Sequence, residues 1–331
     1  MSSVKLKGGA TEKILSPAEQ QAKIVEVRKL IGPIADKFPA LFSDASILRF
    51  LKARNWNTKK TVKMMKATLK WRLDFKPEKI RWEDVAREAE AGKLYRANYL
   101  DKQGRTVLVM RPAASNSNSG TGQIKYLVYC MENAILNLNS NQEQMVWLVD
   151  FTGWNSSCVS LKVSRETANI LQNHYPERLG LAILYNPPKV FESFWTMVKP
   201  FLEPKTFRKA RFVYPDNPKS RMIMDELFDL NDLEPFFGGR NALGFNYKVY
   251  AEKMKEDDKK MSDLIFSSCS SPSYLQSVLS ESQNLESENG SDEESSGDEA
   301  VCANSEEGDE SIQDNSPCSH KKGEVDGQKD A

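Results

Sequence analysis

The sequence predicts an α/β protein: a small N-terminal helical subdomain, a larger domain on a mostly parallel sheet, and an acidic C-terminal tail. Three observations predict it. Apolar residues recur at helical spacing through the first 75 positions, and short apolar runs alternate with helical stretches between residues 106 and 214. The third is charge: residues 1–260 hold 43 Lys and Arg against 29 Asp and Glu, whereas residues 261–331 hold 3 against 17. A formal net charge of zero over 331 residues therefore hides a basic body and an acidic tail.

Residues 1–18 are polar, carry a Gly8-Gly9 pair and read as a flexible leader, with order beginning near Pro17. Ile24, Val27 and Ile31 form the first apolar stripe, and Asp44 or Ser46 is placed to cap a helix carrying Ile47, Leu48, Phe50 and Leu51. A further helix starts near Thr58. Its apolar positions Val62, Met65, Leu69 and Leu73 share one face, and Lys59, Lys60, Lys63, Lys66 and Lys70 populate the other. Such a helix either faces a core with solvated lysines outside or lies against an acidic membrane surface.

After the turn Asp101-Lys102-Gln103-Gly104 the pattern changes. Thr106 to Met110 and Met145 to Val149, the latter ending at Asp150, read as buried strands with a helical stretch, Tyr126 to Leu138, between them. A second helical stretch, Leu161 to Gln172, precedes a strand at Leu181 to Tyr185. A very apolar helix from Val190 to Leu202 precedes another strand at Arg211 to Tyr214. Strands alternating with helices imply βαβ units and a parallel sheet. The ordered region closes with Phe237-Gly238-Gly239 and a lysine-rich segment through Lys260. Beyond it, a tail rich in Ser, Glu, Asp, Asn and Gly lacks the apolar area to offset ordering entropy and is expected to be disordered. Tyr274 to Leu279 is its clearest apolar island. Serines precede acids at Ser291-Asp292-Glu293-Glu294 and at Ser296-Gly297-Asp298-Glu299, a pattern suited to acidophilic kinases.

Composition also excludes classes. Cys130, Cys158, Cys269, Cys302 and Cys318 form no CxxC pair, so neither a disulfide framework nor a zinc site is indicated and the compartment reads as reducing. No run of 18 apolar residues occurs, the N-terminus lacks a signal-like apolar core, and Ser2 departs from the myristoylation pattern. Membrane contact, if made, is then peripheral.

Conventional catalysis finds few candidates. Only His174 and His320 are present, and no GxSxG elbow, HExxH, Walker loop or GxGxxG occurs. Gly120-Thr121-Gly122-Gln123 is too short a cradle for phosphates, His174 reads as structural, and Asp150 has no acidic neighbour in sequence. What remains is an apolar interior beside a few polar groups, the composition of a ligand pocket. Phe191, Phe194, Trp195, Val198, Phe201 and Leu202 cover one face of the Val190 to Leu202 helix, with Lys199 near its end. It is either an ordinary core helix or a lid whose aromatics face a pocket when closed and an interface when open.

Several motifs carry a resemblance. Leu48-Arg49-Phe50-Leu51-Lys52-Ala53-Arg54, Val149 to Gly153, Tyr175-Pro176-Glu177-Arg178-Leu179-Gly180, Lys199 to Thr206 and Phe237-Gly238-Gly239 resemble the CRAL-TRIO lipid-transfer family, in its phosphatidylinositol-transfer branch, over roughly residues 20–250. The resemblance implies a CRAL-TRIO α/β domain with an apolar lipid pocket at residues 86–260, after a helical subdomain at 19–85 and before a tail at 261–331. It implies that Thr206 and Lys209 meet an inositol phosphate headgroup and that Arg54 and Glu177 complete that polar region; the Phe191 to Leu202 face is expected to be the gate. Two departures are visible: Asn55 stands where a basic residue is expected after Arg54, and Met145 and Trp147 stand where phosphatidylcholine carriers have small hydroxyl residues. A Trp there would fill a choline pocket, leaving a second ligand open: another phospholipid, a sterol or a different hydrophobic molecule.

The chain is thus expected to be a cytoplasmic, peripherally membrane-associated phosphatidylinositol-binding and phospholipid-transfer protein and not an enzyme. It is expected to have bound phospholipid as ligand and no cofactor, catalytic residue or metal site. Its expected partners are phospholipid, anionic membranes in transient contact and a lipid kinase; no nucleic acid partner is expected, and the chain should be a monomer. A non-transferring phosphoinositide sensor and, further off, a hydrolase are the alternatives.

Overall fold

A computed structural model describes residues 15–114 and 120–268, with side chains through residue 263. The acidic stretches and the 274–279 island lie outside the described residues, as does nearly all of the leader.

The first helix, α1 (Pro17–Ile31), starts where Ser16 caps it: the Ser16 hydroxyl accepts from the Glu19 amide and the Glu19 carboxylate accepts from the Ser16 amide. Pro17 sits in its first turn, so the helix begins inside the expected leader. A short α2 (Ile34–Lys37) leads to α3 (Asp44–Ala53). The cap of α3 is Ser43 rather than Asp44 or Ser46, because Ser43 is the residue with extended backbone and its hydroxyl accepts from the Ser46 amide. The long α4 (Thr58–Phe75) is capped by Asn57. Ile24, Val27, Ile47, Phe50, Leu51, Val62, Met65 and Leu69 pack together as one apolar cluster, confirming the stripes read from spacing.

The remaining elements are α5 (Trp82–Ala89), β1 (Leu94–Leu100), β2 (Thr106–Met110), α6 (Gly120–Leu136), β3 (Met145–Asp150), α7 (Leu161–His174) and β4 (Leu179–Tyr185). They continue with α8 (Phe191–Val198), α9 (Pro204–Arg208), β5 (Ala210–Val213), α10 (Pro218–Leu227) and α11 (Tyr247–Ser268). The sheet has the order β1-β2-β3-β4-β5; β1 is antiparallel to β2 and the other neighbours are parallel. Right-handed crossovers stepping in one direction bring the intervening helices to one face of such a sheet. Contacts of α6 with α7 and of α7 with α8 agree.

Four expectations are corrected. β1, α5 and α10 have no counterpart in the sequence reading; β1 is the partner strand of the hairpin whose turn, at 101–104, was recognised. Gly120, Thr121 and Gly122 belong to the first turn of α6, which begins ahead of the expected start at Tyr126. The Val190 to Leu202 helix is broken: α8 ends at Val198 and residues 199–201 make a 3₁₀ turn, because Pro200 lacks the amide that would bond Thr196. Finally, α11 runs to Ser268, past residue 260 where the domain was expected to end.

The closing Phe237-Gly238-Gly239 has a steric basis. A Cβ on Gly239 would stand 1.9 Å from the Leu233 carbonyl oxygen, so only glycine fits where the chain doubles back.

Candidate functional site

Strand side chains alternate between the two faces of the sheet. Trp147 and Val149 of β3 and Ala182 and Leu184 of β4 point one way, under α6, α7 and α8, and together these elements enclose a cavity of about 370 Å³. Its wall is mostly apolar. Met131 of α6 and Leu171 of α7 line it, and Phe191, Phe194, Trp195 and Val198 of α8 close one side, with Leu202 just beyond.

The expected gate residues are therefore brought together, with one exception. Phe201 does not line the cavity; it lies in the 3₁₀ turn after α8, with the Arg165 guanidinium 5.4 Å above its ring. Phe191 is 2% exposed and packs against Phe151, Trp154 and Phe212, while Trp195 stacks on Phe207. Val190 and Met197, by contrast, are more than half exposed.

Of the two expected pocket residues, Trp147 lines the cavity and Met145 does not. Met145 shares the face by alternation but begins β3, level with Leu179, where its amide bonds the Arg178 carbonyl. It is fully buried in packed core.

Glu177, Thr206 and Lys209 meet at one end of the cavity. The Lys209 ammonium lies 3.0 Å from the Glu177 carboxylate, and both are only partly exposed. A turn presents Glu177: the Arg178 amide bonds the Tyr175 carbonyl across Pro176 and Glu177, and Glu177 has φ +58°. This is the pattern of a type II turn, with proline at the first central position and a left-handed residue at the second. Glycine or asparagine suits that second position, and a glutamate there carries backbone strain. The surroundings hold the turn in place. Tyr175 donates to partly buried Glu132 at 2.6 Å, Arg72 grips the same carboxylate at 2.8 and 3.2 Å, and Arg178 bonds Glu143. Burial would raise the Glu132 carboxyl, but the Arg72 guanidinium outweighs it and holds the group below the usual carboxylate range.

Arg54, the last expected headgroup residue, stands behind the wall rather than in it. It caps α3 and bonds Glu203 at 2.8 Å, and Glu203 lines the cavity just before α9. Lys205 bonds the Lys52 carbonyl at 2.8 Å, and Gln172 bridges the Phe201 carbonyl and the Glu203 amide. The N-terminal helices thus clasp the segment that carries Thr206 and Lys209. Asn55, in place of the expected base, takes φ +49° at the end of α3, in the left-handed region that asparagine tolerates well.

His174 is structural. Its ring stacks on Trp71 at 4.2 Å and its Nδ1 lies 3.2 Å from the Thr68 hydroxyl, while burial lowers its pKa to about 4. Asp150 is buried, with Arg111 3.4 Å away and the Thr152 amide bonded to it. Among the described residues no group of His, Cys, Asp and Glu side chains could hold a metal ion, and no helix is long and apolar enough to cross a membrane.

The sequence reading missed Lys93, Trp154, Cys158 and Glu203 as cavity residues. Glu203 and Trp154 lie in or beside quoted motifs; Lys93 precedes the strand that was not read.

The geometry can be set beside known proteins. Residues 89–239 match the CRAL/TRIO domain and residues 36–67 the CRAL/TRIO, N-terminal domain. Phosphatidylinositol transfer protein PDR17 of Saccharomyces cerevisiae is 30% identical over 245 residues, covering 70% of this chain and 67% of that protein. The chain belongs to the CRAL/TRIO family. A CRAL-TRIO domain-containing protein of Schizosaccharomyces pombe is 32% identical over 211 residues, which is 63% of this chain but 20% of the longer protein. In fold the chain is similar to the crystal structure of Sfh5, with a TM-score of 0.57 at 16% identity, over 83% of this chain and all of that one. Family membership agrees with the expectation of a lipid-binding protein rather than an enzyme.

Proposed function

We propose that this CRAL/TRIO member binds phosphatidylinositol in the cavity, shields its acyl chains and exchanges it at membranes from the cytoplasmic side. One observation carries the reading. At one polar end of a mostly apolar cavity, a strained turn presents Glu177 to Lys209 beside Thr206. A phosphodiester needs a cation and a hydroxyl donor, and an inositol ring needs an acceptor for its own hydroxyls. Lys209 and Thr206 supply the first pair, and Glu177 supplies the acceptor while orienting Lys209. The name of PDR17 supports the same ligand class.

In this reading α8 is the gate. Its aromatics close the cavity in water, and the exposed Val190 and Met197 give it an outer apolar face for a bilayer. Residues 19–85 form a supporting helical subdomain, clasped to the headgroup end through Arg54 and Glu203. Presentation of the lipid to a kinase is the partner this reading suggests.

Transfer of phosphatidylinositol between vesicles by the double variant Thr206→Asp, Lys209→Ala tests the assignment. Removing a charge-assisted bond of about 1.5–3 kcal/mol and placing a carboxylate beside the phosphate should lower transfer at least 10-fold. A folded double variant that transfers at the wild-type rate refutes the site.

A further inference from the structure

The cavity has a second polar end. Lys93, Glu88, Gln123 and Cys158 line it together, far from Lys209. Strand registers give the separation. Lys93 precedes β1, level with Val213 of β5 through the ladder Leu94, Met110, Val149, Leu184 and Phe212, whereas Lys209 precedes the start of β5. Four strand spacings of about 4.8 Å and four residues of about 3.3 Å place the two lysines about 23 Å apart, on a diagonal of the sheet.

The backbone fixes Lys93 where it stands. Its carbonyl accepts from the Arg111 amide at 2.7 Å, and Gly92 before it has φ +60° with the Phe245 ring packed where a Cβ would be. Lys93 thus joins a mostly apolar wall from a backbone held in place. The same wall holds an independent oddity: Trp154, 5% exposed and packed against Phe151, Phe191 and Phe194, has its indole N–H buried with no hydrogen-bond partner. A buried donor without an acceptor is uncommon in folded proteins. A lysine ammonium and a spare N–H in one wall call for an oxyanion.

We infer that the Lys93 end of the cavity is a second ligand subsite, which takes the acidic group of an anionic amphiphile whose chain lies along the apolar tunnel. The acidic group is a carboxylate or a phosphate monoester, as in a free fatty acid or a phosphatidic acid. Lys93 supplies the charge and Trp154 a directional N–H, while Glu88 opposes the anion and sets a limit on its charge. This site rests on the reading of the cavity as a lipid site, but not on phosphatidylinositol being its occupant.

The test uses the full chain, titrated separately with oleate and with dioleoyl phosphatidic acid, with occupancy read by native mass spectrometry and phosphatidylinositol occupancy read in parallel. Lys93→Met should weaken at least one acid 10-fold or more, and Lys93→Arg should retain it. Trp154→Phe should weaken it about 3-fold, and Glu88→Gln should strengthen it; thermal melting confirms that each variant is folded. A response confined to oleate assigns a carboxylate, and one confined to phosphatidic acid assigns a phosphate monoester. Phosphatidylinositol occupancy should be unchanged in Lys93→Met and lost in Thr206→Asp, Lys209→Ala. If that double variant keeps phosphatidylinositol while Lys93→Met loses the acid, the headgroup assignment fails and the second subsite stands. Wild-type protein that binds neither acid, or Lys93→Met that binds both as wild type does or loses phosphatidylinositol in step with them, overturns the inference.

Discussion

Glu177 offers a way to separate strain from function at one residue. Its φ of +58° costs a residue with a Cβ about 1–2 kcal/mol relative to glycine. Glycine in turn loses about 0.5–1 kcal/mol through the greater freedom of the unfolded chain. Two substitutions remove the same carboxylate but differ in backbone: Glu177→Ala keeps the strain, and Glu177→Gly relieves it. The difference predicts that the glycine variant is more stable than the alanine variant by about 0.8 kcal/mol, midway through those ranges. For a domain of this size that is a Tm difference of about 2–3 °C. Loss of the partly exposed ion pair with Lys209 costs both variants the same, about 0–1 kcal/mol. Function should not follow stability: both should lose phosphatidylinositol transfer to a similar extent, the glycine variant included. Melting curves by circular dichroism and a vesicle transfer assay measure the two quantities. An alanine variant as stable as the glycine variant would refute stored strain, and wild-type transfer by either would remove Glu177 from the headgroup site.

Trp195→Glu should lower lipid exchange 10-fold or more and weaken vesicle binding, because a carboxylate suits neither the closed cavity nor a bilayer; wild-type exchange would mean that α8 is not the gate. Arg54→Ala should leave Glu203 unpaired and loosen the clasp on α9, cutting transfer several-fold with little change in Tm; unchanged transfer argues that the clasp has no part in headgroup binding. His174 adds a pH dependence: its folded pKa of about 4 lies below the usual 6.5, so the unfolded chain takes up the proton first and stability falls as pH drops from 6.5 towards 4. Discounted for partial solvent access, the loss between pH 7 and pH 5 is about 1 kcal/mol, and it should vanish in His174→Gln. Glu132 does not confuse that window. Its depressed pKa contributes stability that is present above about 4.5 and lost only on further acidification.

Periodicity made the helical half of the fold legible. The α1 and α4 stripes and the strands β2 and β3 were readable because their burial is one-sided or complete, which leaves an unambiguous pattern in sequence. β1 was not, because Leu94-Tyr95-Arg96-Ala97-Asn98-Tyr99-Leu100 places Arg96 inside the core, where it pairs with Asp257 and Asn133. A charge neutralised from 161 residues away looks like surface in a linear reading. The break after Val198 was signalled by Pro200 and overridden by the run of aromatics on either side. At the candidate site, Glu177 and Thr206 lie within local motifs and Lys209 three residues beyond one, while the partnership of Arg54 with Glu203 spans 149 residues and leaves no local trace. Position along a strand misled in one case: Met145 and Trp147 share a face, but only Trp147 lines the cavity, while Met145 is fully buried in the core.

On the proposed reading of α8 as the gate, its contacts would couple opening to the membrane. The backbone is pinned on both sides of it: Asn186, at φ +53°, bonds the Val213 carbonyl before Pro187-Pro188, and Glu203 is held by Gln172 and Arg54 after Pro200. Between those points the helix is held inward chiefly by rings, with Phe191 and Val198 as its buried members. Exposing them to water costs about 1.5–3 kcal/mol each, so about 3–6 kcal/mol in total. At 1.4 kcal/mol per tenfold, the open form in water is then populated at between about 1 in 100 and 1 in 20,000. Against hydrocarbon the same side chains are not exposed to water, and that cost largely disappears. Ring packing has no directional bonds to break, so on that proposal α8 would stay shut in solution and open where lipid replaces water.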